Sequence, residues 1–156
     1  MITHPLKIKK KKRYRVYKKR KTMETGLMTP PTFQEKPKEW FQNILENAPV
    51  MVWMTDANND FNYFNQSWLK FTGKELKEEL GDRWLGNVHP EDKEFCQETI
   101  SKAFKNYFTF EAEFRLLRND GVYRWVLIFA KPQYSPGESF NGFIGSCVDV
   151  TRYRNR

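Results

Sequence analysis

The chain has 156 residues, a length that suits one domain of ordinary size plus a tail. It contains no apolar run of about 18 residues and no apolar stretch near its start, which argues against a membrane-spanning helix and a secretory signal. The formal net charge of +8 is unevenly distributed: residues 1–21 hold eleven Lys/Arg and no acid, while the rest holds sixteen Lys/Arg against nineteen Asp/Glu, about −3.

The positive charge is therefore a property of the N-terminal segment. Like charges repel, so we expect residues 1–22 to form a disordered basic tail, joined to the rest by a Pro- and Gly-containing linker over residues 23–37. The favoured interpretation of this tail is a solvated extension, or a segment that is not native, with Met23 as the first residue. The alternative is that the Lys and Arg of residues 7–21 bind anions, such as nucleic-acid or lipid phosphates, without specificity.

The first predicted elements of the remaining chain are a helix and a β-hairpin. A helix begins at Pro37 and ends at Pro49, because apolar residues recur on one of its faces: Trp40, Phe41, Ile44, Leu45 and Ala48. A strand over residues 50–55, a polar turn over residues 56–60 and a return strand over Phe61–Phe64 follow.

Several helical segments are predicted next. Asn65 is placed to cap a helix over residues 66–72, and Gly73 to end it in a left-handed conformation. Short helical turns are expected over residues 75–88. Pro90 opens a longer helix with an acidic first turn, which suits the positive end of the helix dipole. Its buried stripe consists of Cys96, Ile100, Ala103 and Phe104.

Three strands are predicted in the last third of the chain. Residues 108–116 alternate apolar and polar side chains, as in a strand with one wet face. The Asn-Asp-Gly turn at residues 119–121 leads into residues 122–130, which are apolar on both faces, and a loop over residues 132–137 precedes a last strand over residues 140–150. This order predicts an α+β fold, with one five-stranded antiparallel sheet and helices packed on one face.

Several short motifs follow one another in this order. They include Asn65-Gln-Ser-Trp-Leu-Lys-Phe-Thr-Gly73, His89-Pro-Glu-Asp92, Asp120-Gly-Val-Tyr-Arg-Trp125 and the closing segment from Gly142 to Thr151. Together they resemble a single PAS domain with its C-terminal PAC motif. Each is weak alone, but their order and spacing are specific. They cover residues 38–152, and residues 153–156 then form the C-terminal end. The match is strongest to PAS input domains of bacterial sensor kinases and cyclic-dinucleotide signalling proteins.

The resemblance implies a non-catalytic sensory module in a two-component type of pathway. Such a module binds a small ligand or a protein partner and relays a conformational change, either as the input domain of a kinase that extends beyond Arg156 or as a stand-alone cytoplasmic regulator. The alternative is a nucleic-acid-associated regulator, in which the tail binds and the PAS fold dimerises. No Walker loop, catalytic carboxylate pair or Ser/His/Asp set is visible, so the sequence gives no indication of an enzyme.

Two residues near the C-terminus are candidates for signal coupling. Asp149 and Thr151 match the terminal Asp-x-Thr of PAS domains, which ties the strand end to the core and passes strand movement to the next element. A simple structural brace is the compatible alternative. Only residues 152–156 follow, so no helix is expected to receive the signal.

Haem, metal and flavin-adduct chemistry find little support in the sequence. His89 is interpreted as a turn residue before a helix rather than as a haem or metal ligand. Residues 81–88, which resemble the segment that carries the reactive cysteine of flavin-binding light sensors, contain no cysteine. Cys96 and Cys147 are interpreted as reduced core residues, and the cofactor, where there is one, stays unidentified.

Aromatic residues define two further expectations. Six of them either line a ligand pocket between sheet and helices or fill a solid core: Trp53, Phe64, Trp68, Phe71, Trp84 and Phe104. A pocket of such rings would favour a flat or apolar ligand. Another set shares the outer face of the sheet and is expected to be covered by the N-terminal helix or by a second subunit, of which we favour a homodimer: Tyr123, Trp125, Leu127 and Phe129.

Overall fold

The fold is built on one antiparallel sheet. The computed structural model describes residues 14–17 and 38–154, and in this part of the chain six strands lie in the order β1-β4-β5-β6-β2-β3. The strands are β1 (Tyr14–Tyr17), β2 (Met51–Thr55), β3 (Phe61–Phe64), β4 (Thr109–Leu117), β5 (Tyr123–Tyr134) and β6 (Phe140–Asp149). The helices are α1 (Lys38–Glu46), α2 (Gln66–Thr72), α3 (Pro90–Asn106) and α4 (Thr151–Arg154), with 3₁₀ turns at Leu76–Glu78 and Arg83–Asn87.

The side chain of Asn65 starts α2 and joins it to two neighbouring elements. Its Oδ1 accepts hydrogen bonds from the backbone N–H of Val52 at 2.9 Å and of Trp68 at 3.2 Å. Its Nδ2 donates to the carbonyls of Leu45 and Val50, both at 2.9 Å. One fully buried amide thereby fixes the end of α1, the start of β2 and the N-terminus of α2.

The predicted ends of α2 and α3 are confirmed. Gly73 ends α2 with a φ of +71°, and His89 caps α3 by accepting a hydrogen bond from the N–H of Glu91 at 3.2 Å. In the first turn of α3, Asp92 is fully buried, and its Oδ2 accepts from both the backbone N–H and the Nε of Arg115, each at 2.9 Å. This carboxylate fixes α3 to β4, and its hydrogen bond raises the pKa of Arg115.

The helices α2 and α3 and the inner face of the sheet enclose one apolar core. Along β4, buried and half-buried residues alternate, as the sequence predicts. Gly145 on β6 lies under the indole of Trp53, where a Cβ would approach the ring to 2.2 Å. Cys96 and Cys147 form no disulfide and are buried in this core, as predicted.

The predicted five-stranded sheet is confirmed, and β1 adds a sixth strand at its edge. It pairs antiparallel with β4 and places Arg15 opposite Glu111. The assignment of these four residues to a disordered tail is therefore wrong, because the charge of the segment hides its short alternation of side chains. The other residues of the predicted tail, the predicted linker over residues 23–37 and the side chains of Trp40 and Phe41 lie outside the described residues.

Three further features differ from the prediction. β5 runs through Pro132 to Tyr134, where the sequence predicts a loop. The register between β5 and β6 shifts between these two residues, which indicates a β-bulge. A bulge accommodates proline in a strand because the ladder is already interrupted there. The helix α4 begins at Thr151, where none is expected. Ile44, assigned to the buried face of α1, is 47% exposed.

Replacing Asn65 by Ala is expected to lower the free energy of unfolding by about 3 kcal/mol or more, because four backbone groups each lose a hydrogen bond to its side chain. Urea denaturation followed by tryptophan fluorescence measures the change. Asn62→Ala is the matched control, since Asn62 is exposed on β3, and it should cost less than about 0.5 kcal/mol. Equal losses in the two variants would contradict the role assigned to Asn65.

Gly145→Ala is expected to destabilise the fold by about 2 kcal/mol or more, because the new methyl group overlaps the Trp53 ring. The control is Gly86→Ala, since a Cβ at Gly86 meets no atom within 4 Å. Thermal unfolding of the two variants measures the difference, and an unchanged midpoint for Gly145→Ala would show that β6 and Trp53 are not in contact as described.

Candidate functional site

The six aromatic residues considered as pocket candidates mostly fill the core. Phe71 is half-buried at its edge, and the other five are at most 8% exposed: Trp53, Phe64, Trp68, Trp84 and Phe104. The ring centres of Phe64 and Trp68 are 4.8 Å apart, and those of Trp68 and Trp84 are 6.2 Å apart. Indole and phenyl rings therefore occupy much of the space between the sheet and α2.

A cavity of about 230 Å³ opens beside this cluster, between the β2–β3 turn, the second 3₁₀ turn and α3. Apolar side chains form its floor: Phe61, Trp84, Leu85, Ile100 and Phe104. Polar side chains nearer to solvent form its rim, which Gly81 completes: Asn59, Asp60, Asp82, Gln97 and Ser101. Of the six candidates, Trp84 and Phe104 line this cavity. The rim residues are not evident from the sequence, because turn residues and the polar side of a helix carry no periodic signal.

Two polar atoms of cavity-lining residues have no hydrogen-bond partner among the described residues. They are the indole Nε1 of Trp84 and the side-chain Oδ1 of Asn59, and both atoms are buried. Asn59 has a φ of +67°, a conformation that Asn adopts more readily than most residues. Both atoms belong to residues that line the cavity, but each is shielded from solvent by its surroundings.

Asp149 and Thr151 tie the end of β6 to β5. The hydroxyl of Thr151 accepts a hydrogen bond from the backbone N–H of Trp125 at 2.9 Å. Oδ1 of Asp149 accepts from the N–H of Thr151, and its Oδ2 accepts from Nε of Arg124, both at 2.9 Å. Burial acts to raise the pKa of Asp149, but the hydrogen bonds from Thr151 and Arg124 outweigh burial and lower it. We call this group of bonds the C-terminal joint.

The helix α4 follows the C-terminal joint directly and contacts the outer face of the sheet. The guanidinium of Arg154 lies 3.6 Å from the ring centre of Trp125, and its Nε donates to Glu113 at 2.8 Å. Arg115 approaches the same ring at 5.4 Å. Trp125 thus contacts both ends of α4: its backbone N–H donates to Thr151, and its ring packs against Arg154. A displacement of β5 at Trp125 would therefore move the whole of α4.

The outer face of the sheet carries an apolar patch. Phe129 is 44% exposed and Val148 is 49% exposed, while Leu127 and Trp125 are half-buried. Tyr123 is 36% exposed and packs edge to face against His89 at 4.6 Å. Phe129 and Val148 are exposed in the part of the chain that the structure describes, so the cover predicted for this face is incomplete among these residues.

The histidine and the cysteines have structural surroundings. His89 bonds the backbone at the start of α3, as predicted for a turn residue. Burial raises the pKa of the Cys147 thiol far above its usual range, so this thiol stays protonated and is a poor nucleophile. Within residues 14–17 and 38–154, no three His, Cys, Asp or Glu side chains are arranged to hold a metal ion. In the same residues, no helix has the length and apolar character needed to cross a membrane.

Comparisons with known proteins agree with this geometry. The family model described as the PAS fold matches residues 39–150. The uncharacterized protein y4lL of Sinorhizobium fredii is 34% identical over 115 residues, and the peroxide stress-activated histidine kinase mak1 of Schizosaccharomyces pombe is 30% identical over 119 residues. These matches cover 74% and 70% of this chain, but the chain spans only 14% and 7% of the two relatives.

A solved structure shows the same architecture. The N-terminal domain of a diguanylate cyclase with a PAS/PAC sensor, from Marinobacter aquaeolei, superposes with a TM-score of 0.59 at 20% identity. The superposition covers 67% of this chain and 98% of that domain. At this level of identity the likeness establishes the fold alone.

Asp149→Asn is expected to lower stability at neutral pH by about 1 kcal/mol and to flatten its dependence on acid pH. The pKa of Asp149 is lower in the folded chain than the ~3.9 of an unfolded aspartate, so its contribution is present above about pH 4 and is lost as the pH falls through the folded value. Denaturant unfolding at about pH 7, 5 and 3 measures both effects.

The control for this prediction is Glu94→Gln, which neutralises an exposed carboxylate on α3 and should keep the wild-type pH dependence. An Asp149→Asn curve that runs parallel to the wild-type curve would contradict the electrostatic role of Asp149 in the C-terminal joint.

Proposed function

The chain belongs to the PAS family, and from this membership we propose that it binds a small ligand or a protein partner and relays a conformational change in a sensor-kinase type of pathway. Its PAS region is a sensory unit, not a catalytic one, and is homologous to the PAS region of a histidine kinase. Residues 38–152 form the proposed module. Because the chain spans a small part of its relatives, a kinase output on the same polypeptide or on a cytoplasmic partner is part of the proposal.

The observation that supports this relay best is the C-terminal joint. A few hydrogen bonds around Asp149 and Thr151 connect β5, β6 and α4 at one point. Hydrogen bonds of this kind can be exchanged between two arrangements at small net cost, and a bound ligand selects the arrangement that it favours. A shift of β5 or β6 would then redirect α4 and any element that follows it.

We also propose that two copies of the chain associate through the outer face of the sheet. An exposed apolar patch around Phe129 and Val148 favours association, and a two-fold dimer would bury the same patch on both copies.

The alternative function is that of a nucleic-acid-associated regulator, and it depends on the eleven Lys and Arg of residues 1–21. It requires salt-dependent nucleic-acid binding that is lost when residues 1–22 are deleted.

A kinase chimera tests the relay. Residues 38–154 replace the PAS input domain of a soluble bacterial histidine kinase, and the rate of autophosphorylation is measured. Thr151→Val removes the hydroxyl that bonds Trp125 and is expected to change the rate about fivefold or more, the lower end of typical coupling free energies. Thr151→Ser keeps the hydroxyl and should retain the wild-type rate. Identical rates in all three chimeras would refute a relay through Thr151.

A further inference from the structure

We propose that the cavity beside Trp84 binds a small aromatic amine, with the ring on the apolar floor and the ammonium group at the carboxylates of Asp60 and Asp82. This inference rests on the proposed sensory function, for which the amine would be the signal. It assigns a chemical class to the ligand, which neither the family nor the packed aromatic core specifies.

The size of the cavity limits the ligand to a single ring with a short side chain. A cavity of about 150 Å³ is large enough for benzene, whereas drug-sized ligands occupy about 300 Å³ or more. At about 230 Å³ this cavity lies between the two. Phe61, Trp84 and Phe104 supply aromatic surface on its floor, which favours a flat ring.

The carboxylates at the rim favour a ligand with a positive charge. Asp60 and Asp82 line the cavity, and none of its lining residues is Lys, Arg or His. Neither carboxylate has a salt-bridge partner among the described residues. A carboxylate ligand would meet like charge without compensation, whereas an ammonium group would be attracted to both residues.

The floor and the rim together define the ligand class. The aromatic floor favours a flat ring, and the carboxylates of Asp60 and Asp82 favour a positive charge. A single ring with a short aminoalkyl chain therefore combines the features that the floor and the rim select. Because Trp84 lines the floor, its indole N–H signal is a suitable reporter of a molecule bound there.

A ligand in this position would act on the sheet through direct ring contacts. Phe104 lines the cavity and stacks on Phe143 of β6, with ring centres 4.4 Å apart. The same strand ends at Asp149, in the C-terminal joint. A ligand that displaces Phe104 therefore pushes on the strand that carries the relay.

Two probes that differ in charge test the proposal: tyramine, and its acidic analogue 4-hydroxyphenylacetate. The full chain is labelled with ¹⁵N, and the indole N–H signal of Trp84 is followed by NMR after assignment with Trp84→Phe. Tyramine is expected to shift this signal saturably, with a Kd at least tenfold lower than that of the acid. No saturable shift with ~10 mM tyramine, or equal affinity for both probes, would overturn the proposal.

Variants locate the binding to the cavity. The double variant Asp60→Asn and Asp82→Asn should weaken tyramine binding about fivefold or more, while Glu111→Gln, on the other face of the sheet, should leave it unchanged. Ser101→Phe fills the mouth of the cavity from an exposed position and should abolish the shift. Binding that survives in Ser101→Phe would show that tyramine binds elsewhere and would refute the assignment.

The binding readout is independent of the relay. The kinase chimera is assayed without a ligand. If its autophosphorylation rate does not depend on Thr151 but the chain binds tyramine selectively, the relay is refuted and the amine site is supported. If the rate depends on Thr151 but tyramine does not bind selectively, the amine site is refuted and the sensory function is supported.

Discussion

The side chain of Asn65 makes all four hydrogen bonds available to a primary amide, each to the backbone of a different residue. These bonds hold the chain that enters β2 against the start of α2, at the point where β3 ends. Trp53 is next to Val52, and Trp68 itself donates its backbone N–H to Asn65. These two tryptophans are among the largest fully buried side chains of the core. The aromatic cluster, the cavity beside it and the position of β6 over Trp53 therefore all depend on one polar group at the centre of an apolar region.

The division between packed core and cavity has a physical origin. The rings of Phe64 and Trp68 are in contact, and Trp53 pairs with Phe64 across β2 and β3, so these side chains fill the space under this part of the sheet. The cavity lies beside them, toward the β2–β3 turn and α3. Ring-to-ring contact nevertheless connects this volume to β6, while α4 lies on the opposite face of the same sheet. Input and output would thus be separated by the thickness of one β-sheet, and β6 is the strand that connects them.

Much of this architecture could be predicted from the sequence because it depends on local patterns. The caps Asn65, Gly73 and His89 and the alternation along β4 are each encoded within a few residues. Contacts between distant segments could not be predicted in the same way. β1 forms only because the edge of β4 accepts it, and the cavity rim brings together residues of a turn, a 3₁₀ segment and a helix. Pro132 was misassigned for a related reason: its effect depends on the bulge that β6 permits.

The edge of β4 is closed in two different ways along its length. β1 pairs with residues 109–112, and farther along, the backbone of Arg115 bonds Asp92 and the N–H of His89. A chain that started at Met23 would lack the first of these closures and would present unpaired N–H and C=O groups to solvent. Backbone groups recognise any extended strand, whatever its sequence. Residues 109–112 of β4 would then be open to pairing with the edge of another sheet, so β1 acts as a guard of this edge as well as a sixth strand.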